Sequence, residues 1–233
     1  MPIGVPRVAY QMTGDDDAQW VDLYNRMYRE RVLFLGADLD DELSNQLVGI
    51  MAFLTIEDPR RDMFIYINSL GGAMVSGFAV YDIICAIPNR VLTLCIGTAA
   101  SMASFILCAG EPGLRFALPH SRVMIHQPAG GTKGQAAEIT RDSKQVTILR
   151  ERVNYIYAEI TCQTIEQIWI DMNRDKFLRP KGAQEYGLVD NVVLELELVE
   201  RDYMDPSPFQ NINPKKFLEL NSSKPVRELQ SVR

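Results

Sequence analysis

Residues 91–105 read VLTLCIGTAASMASF. The first six are apolar and predict a buried strand over residues 90–96. Small residues follow at once, and a helix is predicted over residues 99–108, stopping at Gly110. A strand that runs straight into a helix through small residues is the building unit of an α/β fold, and both flanks repeat it. Upstream, MFIYI at 63–67 reads as a strand, NSLGG at 68–72 as a tight connection, and 74–87 as a helix ending before Pro88. Earlier still, VLFLG at 32–36 is a short buried strand. Asp40 or Asp41 can cap the helix that carries Leu43, Leu47, Ile50, Met51 and Leu54. Residues 20–31 predict an amphipathic helix with Trp20, Leu23, Met27 and Tyr28 on one face. Downstream, 115–118 and 122–125 predict short strands. Alternating strands and helices imply a mainly parallel sheet.

The second half changes character. Residues 134–161 predict one long helix striped with Val146, Leu149, Val153, Ile156 and Ile160. It would be roughly 40 Å long, more than a compact domain uses internally, so the stripe is expected to pack on a second subunit. A helix capped by Thr164, a short helix near 183–187 and a strand over 188–196 complete the pattern. The tail from Asp202 has prolines, polar residues and no periodicity, and reads as an extension.

Composition excludes several classes. The net charge is −6, and no Lys/Arg block offers a nucleic-acid surface. The first residues have the layout of neither a secretory signal nor a transit peptide, and no apolar run has bilayer length. The four cysteines, Cys85, Cys95, Cys108 and Cys162, form no CxxC and read as buried free thiols of a reducing compartment. The two histidines have no metal-ligand spacing, so no metal is expected.

Three stretches could carry chemistry. His126 ends the strand 122–125, where α/β proteins place ligand chemistry, whereas His120 lies in the turn at that strand's other end. Ser101 falls after a strand at a helix start. Backbone N–H groups are unpaired there, and the helix dipole favours negative charge. Its plainer reading is a helix cap. The G-x-S-x-G elbow is absent, and NSLGG matches no phosphate-loop pattern. A carboxylate to orient an imidazole could be Asp171, Asp175 or Asp190, and spacing does not choose among them.

Taken together, YINSLGG, GTAASMAS, SRVMIHQPAGG, RDKF and EYGLVD resemble, in order and spacing, the ClpP family of barrel-forming caseinolytic serine peptidases. The likeness runs from about Leu23 to Val192. It implies a ClpP/crotonase-like α/β fold of repeated β-β-α units with a long projecting helix. It also implies an axial segment over 1–19, a peptidase domain over 20–196 with its handle helix near 134–161, and a C-terminal extension over 197–233. The expected activity is serine endopeptidase. Ser101 would be nucleophile, His126 base and Asp175 the orienting acid, with the Gly72 and Met102 N–H groups as oxyanion donors. No cofactor is expected, because ATP is used by a partner, an AAA+ unfoldase docking near Phe64, Tyr66 and Phe116. Other partners would be like subunits in two stacked seven-membered rings and unfolded polypeptide substrates, with no nucleic acid or membrane. The opening Met-Pro-Ile-Gly-Val-Pro is similar to family members encoded in plastid genomes, which implies the chloroplast stroma, with a bacterial-type cytoplasm as the alternative. Leu70 stands where the family usually has proline, and Ala103 often aligns with glycine. Two alternatives are a catalytically silent ring subunit and a crotonase-type acyl-CoA enzyme. The second needs no Ser-His-Asp set.

Overall fold

The structure, a computed structural model, describes residues 4–10 and 19–193. β1 (Arg7–Tyr10) and β2 (Gln19–Asp22) pair as an antiparallel hairpin. The helix expected from residue 20 therefore begins later, as α1 (Leu23–Arg29). The Asp22 side chain accepts the Tyr24 and Asn25 N–H groups and so sets the start. Trp20 lies exposed on β2 and not on a helix face. Part of the expected axial segment, residues 1–3 and 11–18, lies outside the described residues, as does the expected extension over 197–233.

The main sheet follows the expected alternation. β3 (Val32–Leu35) leads to α2 (Asp41–Glu57), β4 (Met63–Ser69) to α3 (Met74–Ala86), and β5 (Val91–Ala100) to α4 (Met102–Cys108). β6 (Arg115–Ala117) and β7 (Arg122–Ile125) precede the long α5 (Ala136–Thr161). α6 (Ile165–Met172), β8 (Lys176–Leu178), α7 (Pro180–Tyr186) and β9 (Asn191–Val192) close the described chain. The strand order is β3-β4-β5-β6-β9, with β7 paired to β5 and to β8; all neighbours are parallel except β7 and β8. Among the two candidate caps of α2, Asp40 takes the role, accepting the Leu43 N–H at 2.8 Å. Thr164 caps α6 as its spacing predicts.

One sheet face, with Leu33, Leu35, Ile65, Ile67 and Cys95, joins Leu47, Met51, Val80 and Phe105 of the helices in one core. On the other face Tyr66, Leu94 and Phe116 stand in register across β4, β5 and β6, half-buried. Phe64 lies two residues before Tyr66 on the same face.

Four further expectations change. β5 runs to Ala100, not Ile96, because both its edges find partners. Asn68 Oδ1 accepts the Thr98 N–H, Ser69 pairs with Ala99, and β7 pairs from Thr98 to Ala100. Pairing outweighs the helix preference of the two alanines. The stripe on α5 divides. Val153 is fully packed in the subunit's own core, with Ile156 and Ile160 against it, because α4 and α6 meet the last turns; Val146 is exposed. Within the described part of the strand expected over 188–196, only Asn191–Val192 form one. Leu188 and Val189 are buried before it, β6 is only three residues long, and residues 194–196 lie outside the described part. Of the cysteines, Cys95 and Cys108 are buried, but Cys85 and Cys162 are exposed; Cys162 takes the left-handed position that ends α5. No helix among the described residues is long and apolar enough to cross a membrane.

Candidate active site

Ser101 sits between β5 and α4 at φ 53° and ψ −125°. Such a backbone costs a β-carbon residue on the order of 1–3 kcal/mol and persists only where its surroundings hold it. Here the Ser101 N–H donates to the Met124 carbonyl at 2.9 Å. Its own carbonyl accepts from Ser104 N–H at 3.0 Å, Phe105 N–H at 3.2 Å and Ser104 Oγ at 2.7 Å. The strand passes into the helix through this strained residue without a G-x-S-x-G motif. The Ser101 hydroxyl makes no capping bond. It instead stands 2.8 Å from His126 Nε2.

Sheet register explains the meeting. β5 and β7 run parallel with Ala100 beside Met124, so Ser101 and His126, each just past the last residue of its strand, leave the sheet at one end. β7 and β8 are antiparallel, with Ile125 opposite Lys176. The same register carried one step further puts His126 opposite Asp175. Asp175 Oδ1 lies 3.2 Å from His126 Nδ1. The imidazole is one-quarter exposed and the carboxylate about three-fifths exposed, at 25% and 61%.

The two other carboxylates are occupied elsewhere. Asp171 accepts from Lys176 at 2.7 Å, Tyr186 at 2.8 Å and Gln167 at 2.9 Å. Burial works to raise the Asp171 carboxyl, but these three donors outweigh it and leave the pKa below its ordinary value. Asp190 forms a two-oxygen pair with Arg115 at 2.9 and 2.6 Å and also accepts the Gly113 and Arg115 N–H groups. His120 is exposed in the turn before β7.

The loop at 70–73 closes the site. Leu39 N–H donates to Gly71 O at 2.7 Å, and Ala73 N–H donates to Leu39 O at 2.8 Å. In a parallel bridge of this kind the N–H of the middle residue, Gly72, points away from Leu39. A β-carbon on Gly72 would lie 2.2 Å from Leu39 O, and one on Gly71 would lie 2.8 Å from Ser101 Cβ. Both glycines are therefore fitted between Leu39 and the elbow, and Leu70 at the loop tip is exposed. Met102 is the first residue of α4, so its N–H has no acceptor within the helix. Gly72, Met102, Ser101 and His126 line one open cleft of about 200 Å³. Two N–H donors beside a hydroxyl that faces an imidazole can accept the charge that develops in acyl transfer. Among the described residues no cluster of His, Cys, Asp and Glu could hold a metal ion.

One cleft residue escapes a reading by spacing. Tyr157, from α5, lines the cleft while hydrogen-bonded to Ser104 at 2.8 Å. The available signal was a hydroxyl set in an otherwise apolar helical stripe.

The Clp protease family profile matches residues 15–195. The chain is 55% identical over 195 residues to an ATP-dependent Clp protease proteolytic subunit of Chlorella vulgaris, covering 84% of this chain and 97% of the relative. It is 52% identical over 220 residues to the protein of that name in Chlorokybus atmophyticus, covering 93% and 98%. It is 51% identical over 196 residues to that of Adiantum capillus-veneris, covering 84% and 98%.

Proposed function

The chain belongs to the Clp protease family, and from that premise we propose how it works as the proteolytic subunit of an ATP-dependent Clp protease. Ser101 is the nucleophile of a serine endopeptidase. Its Oγ adds to a peptide carbonyl carbon while His126 Nε2 takes the hydroxyl proton, and Asp175 holds the imidazole with its Nδ1 protonated. The carbonyl oxygen becomes the oxyanion and receives the Gly72 and Met102 N–H groups. As the intermediate collapses, His126 gives its proton to the departing amine, leaving an acyl ester on Ser101. Water then repeats the sequence and releases the acid, so the cycle consumes one water and needs no cofactor.

The observation that carries this reading is the Ser101 hydroxyl itself. It declines the helix cap and faces His126 Nε2 at 2.8 Å. The same alignment weighs against a silent ring subunit and against an acyl-CoA enzyme, which would have no use for it. A fluorophosphonate probe should label the wild-type chain once, at Ser101. Labelling retained in Ser101→Ala overturns the assignment.

The remaining roles follow from the family premise. Like subunits assemble in two stacked seven-membered rings, with α5 as the handle between rings. An AAA+ unfoldase spends the ATP and docks where Phe64, Tyr66 and Phe116 share the sheet face away from the core. Unfolded polypeptides are the substrates. The relatives come from algae and land plants, which supports action in the chloroplast stroma.

A further inference from the structure

Tyr157 and Ser104 are both buried, at 2% and 0% exposure, and stand 53 positions apart in the chain. The Tyr157 hydroxyl is 2.8 Å from Ser104 Oγ, and Ser104 Oγ donates to the Ser101 carbonyl at 2.7 Å. A serine hydroxyl has one proton, and a carbonyl can only accept. The Ser104 proton is therefore committed to Ser101, and Tyr157 must be the donor in the other bond. Burial pushes the Tyr157 phenol well above its ordinary pKa, so it keeps that proton under all working conditions. The order is Tyr157 O–H to Ser104 Oγ, then Ser104 O–H to Ser101 carbonyl.

The Ser101 carbonyl and the Met102 N–H are the two ends of one planar peptide unit. A rotation that moves the carbonyl swings the N–H by the same angle. This unit follows a residue held at φ 53°, so its local preference is to relax away from the observed orientation. The helical bonds from Ser104 N–H and Phe105 N–H, at 3.0 and 3.2 Å, are longer than the hydroxyl bond at 2.7 Å. Tyr157 is kept in place by its ring, which meets Phe105 edge to face at 5.6 Å.

We propose that Tyr157 and Ser104 are positioning residues for the oxyanion hole. They form a two-hydroxyl relay that reaches from α5 to the Ser101–Met102 peptide and aims the Met102 N–H at the reacting oxygen. The inference rests on reading Ser101 as the nucleophile. It also makes α5 a participant in catalysis, since a displacement of that helix withdraws the Tyr157 hydroxyl from the relay.

The test uses the full chain in its assembled form, with Tyr157→Phe, Ser104→Ala and the double variant. Fluorophosphonate titration counts working Ser101 sites, so that rates are expressed per site. Tyr157→Phe should lower kcat per site on the order of tenfold, a fraction of the loss from deleting a donor outright. KM should hold within about twofold, because ground-state binding is untouched. Affinity for a peptide aldehyde, whose hemiacetal on Ser101 places its oxygen in the hole, should fall by the same factor as kcat. The double variant should lose no more than Ser104→Ala, because Tyr157 acts only through Ser104. A purely structural role would reduce the number of titratable sites and leave per-site kcat and aldehyde affinity at wild-type values, which overturns the proposal. Additive losses in the double variant overturn it too. If Ser104→Ala does not fold, Tyr157→Phe alone decides by the same two readouts. Absence of labelling in the wild-type chain would instead overturn the nucleophile assignment, so the two failures are distinguishable.

Discussion

His126 faces Asp175 because the antiparallel register of β7 and β8 continues one residue past the Ile125–Lys176 pair. The bond between them is 3.2 Å long and lies partly in solvent. A fully buried orienting aspartate is worth about 10⁴-fold in turnover when changed to asparagine. Water can stand in for some of that here. Asp175→Asn should therefore lower peptide hydrolysis per titrated site by roughly 10²- to 10³-fold. A loss below tenfold would remove Asp175 from the triad.

Gly72→Ala should damage turnover more than folding. The added methyl would meet the Leu39 backbone, 2.2 Å away at O and 2.7 Å at N, so the loop must retreat from its bridge. The Gly72 N–H moves with it. The expected loss in kcat is on the order of 10²-fold, the value of one oxyanion donor, with a modest fall in melting temperature. Unchanged kcat at a lowered melting temperature would mean that the donor lies elsewhere.

Asp171 makes a pH prediction. Its folded pKa lies below its unfolded value, so it contributes stability above the unfolded pKa. That contribution is lost as pH falls through the folded pKa. Asp171→Asn should cost about 1 kcal/mol near neutral pH, the scale of its hydrogen bonds to Lys176 and Tyr186. The gap between variant and wild type should close on acidification below the ordinary carboxylate range. Denaturant melts across pH measure it, and a gap that widens in acid contradicts the sign.

The divided stripe on α5 separates assembly from folding. Val146 is 37% exposed and Val153 is 4% exposed. Val146→Glu should leave the subunit folded and yield single rings by light scattering. Val153→Glu would bury an unpaired carboxylate in the subunit's own core, at a cost of several kcal/mol, and should lower the melting temperature before it alters particle mass. Intact double rings in Val146→Glu would remove that position from the ring contact.

Tyr66→Ala tests partner docking. Tyr66 is half-buried on the sheet face away from the core, in register with Leu94 and Phe116, and its loss opens no gap in that core. Degradation of a folded protein with the unfoldase and ATP should fall at least about tenfold, as for an aromatic hot spot. Cleavage of short peptides should stay near wild type. An equal fall in both would show that Tyr66 supports the fold.

The local parts of this protein were legible in its residues. The strand at Met63 and the Thr164 cap are set by neighbours in sequence, and they stand where spacing puts them. What was not legible depends on distant pairing. Trp20 sits in a strand only because β1 offers an edge, and β5 passes Ile96 only because Asn68 and β7 hold it. The choice among Asp171, Asp175 and Asp190 was hidden for the same reason, since it turns on the register of a three-residue strand. Spacing showed Ser101 and His126 as candidates, but nothing local marks Ser104 as the partner of a tyrosine on α5.

The antiparallel pairing of β7 with β8 also orders events in time. The chain is made from its N-terminus, so Ser101 emerges first, His126 follows 25 residues later, and Asp175 comes last. Before β8 exists, β7 has β5 as its sole partner and an open outer edge. A chain still on the ribosome at that stage has a hydroxyl and an imidazole but no carboxylate to hold the ring. Domains fold as units once their last elements arrive. On the proposed triad, full turnover is thus expected only once β8 has brought Asp175 beside His126.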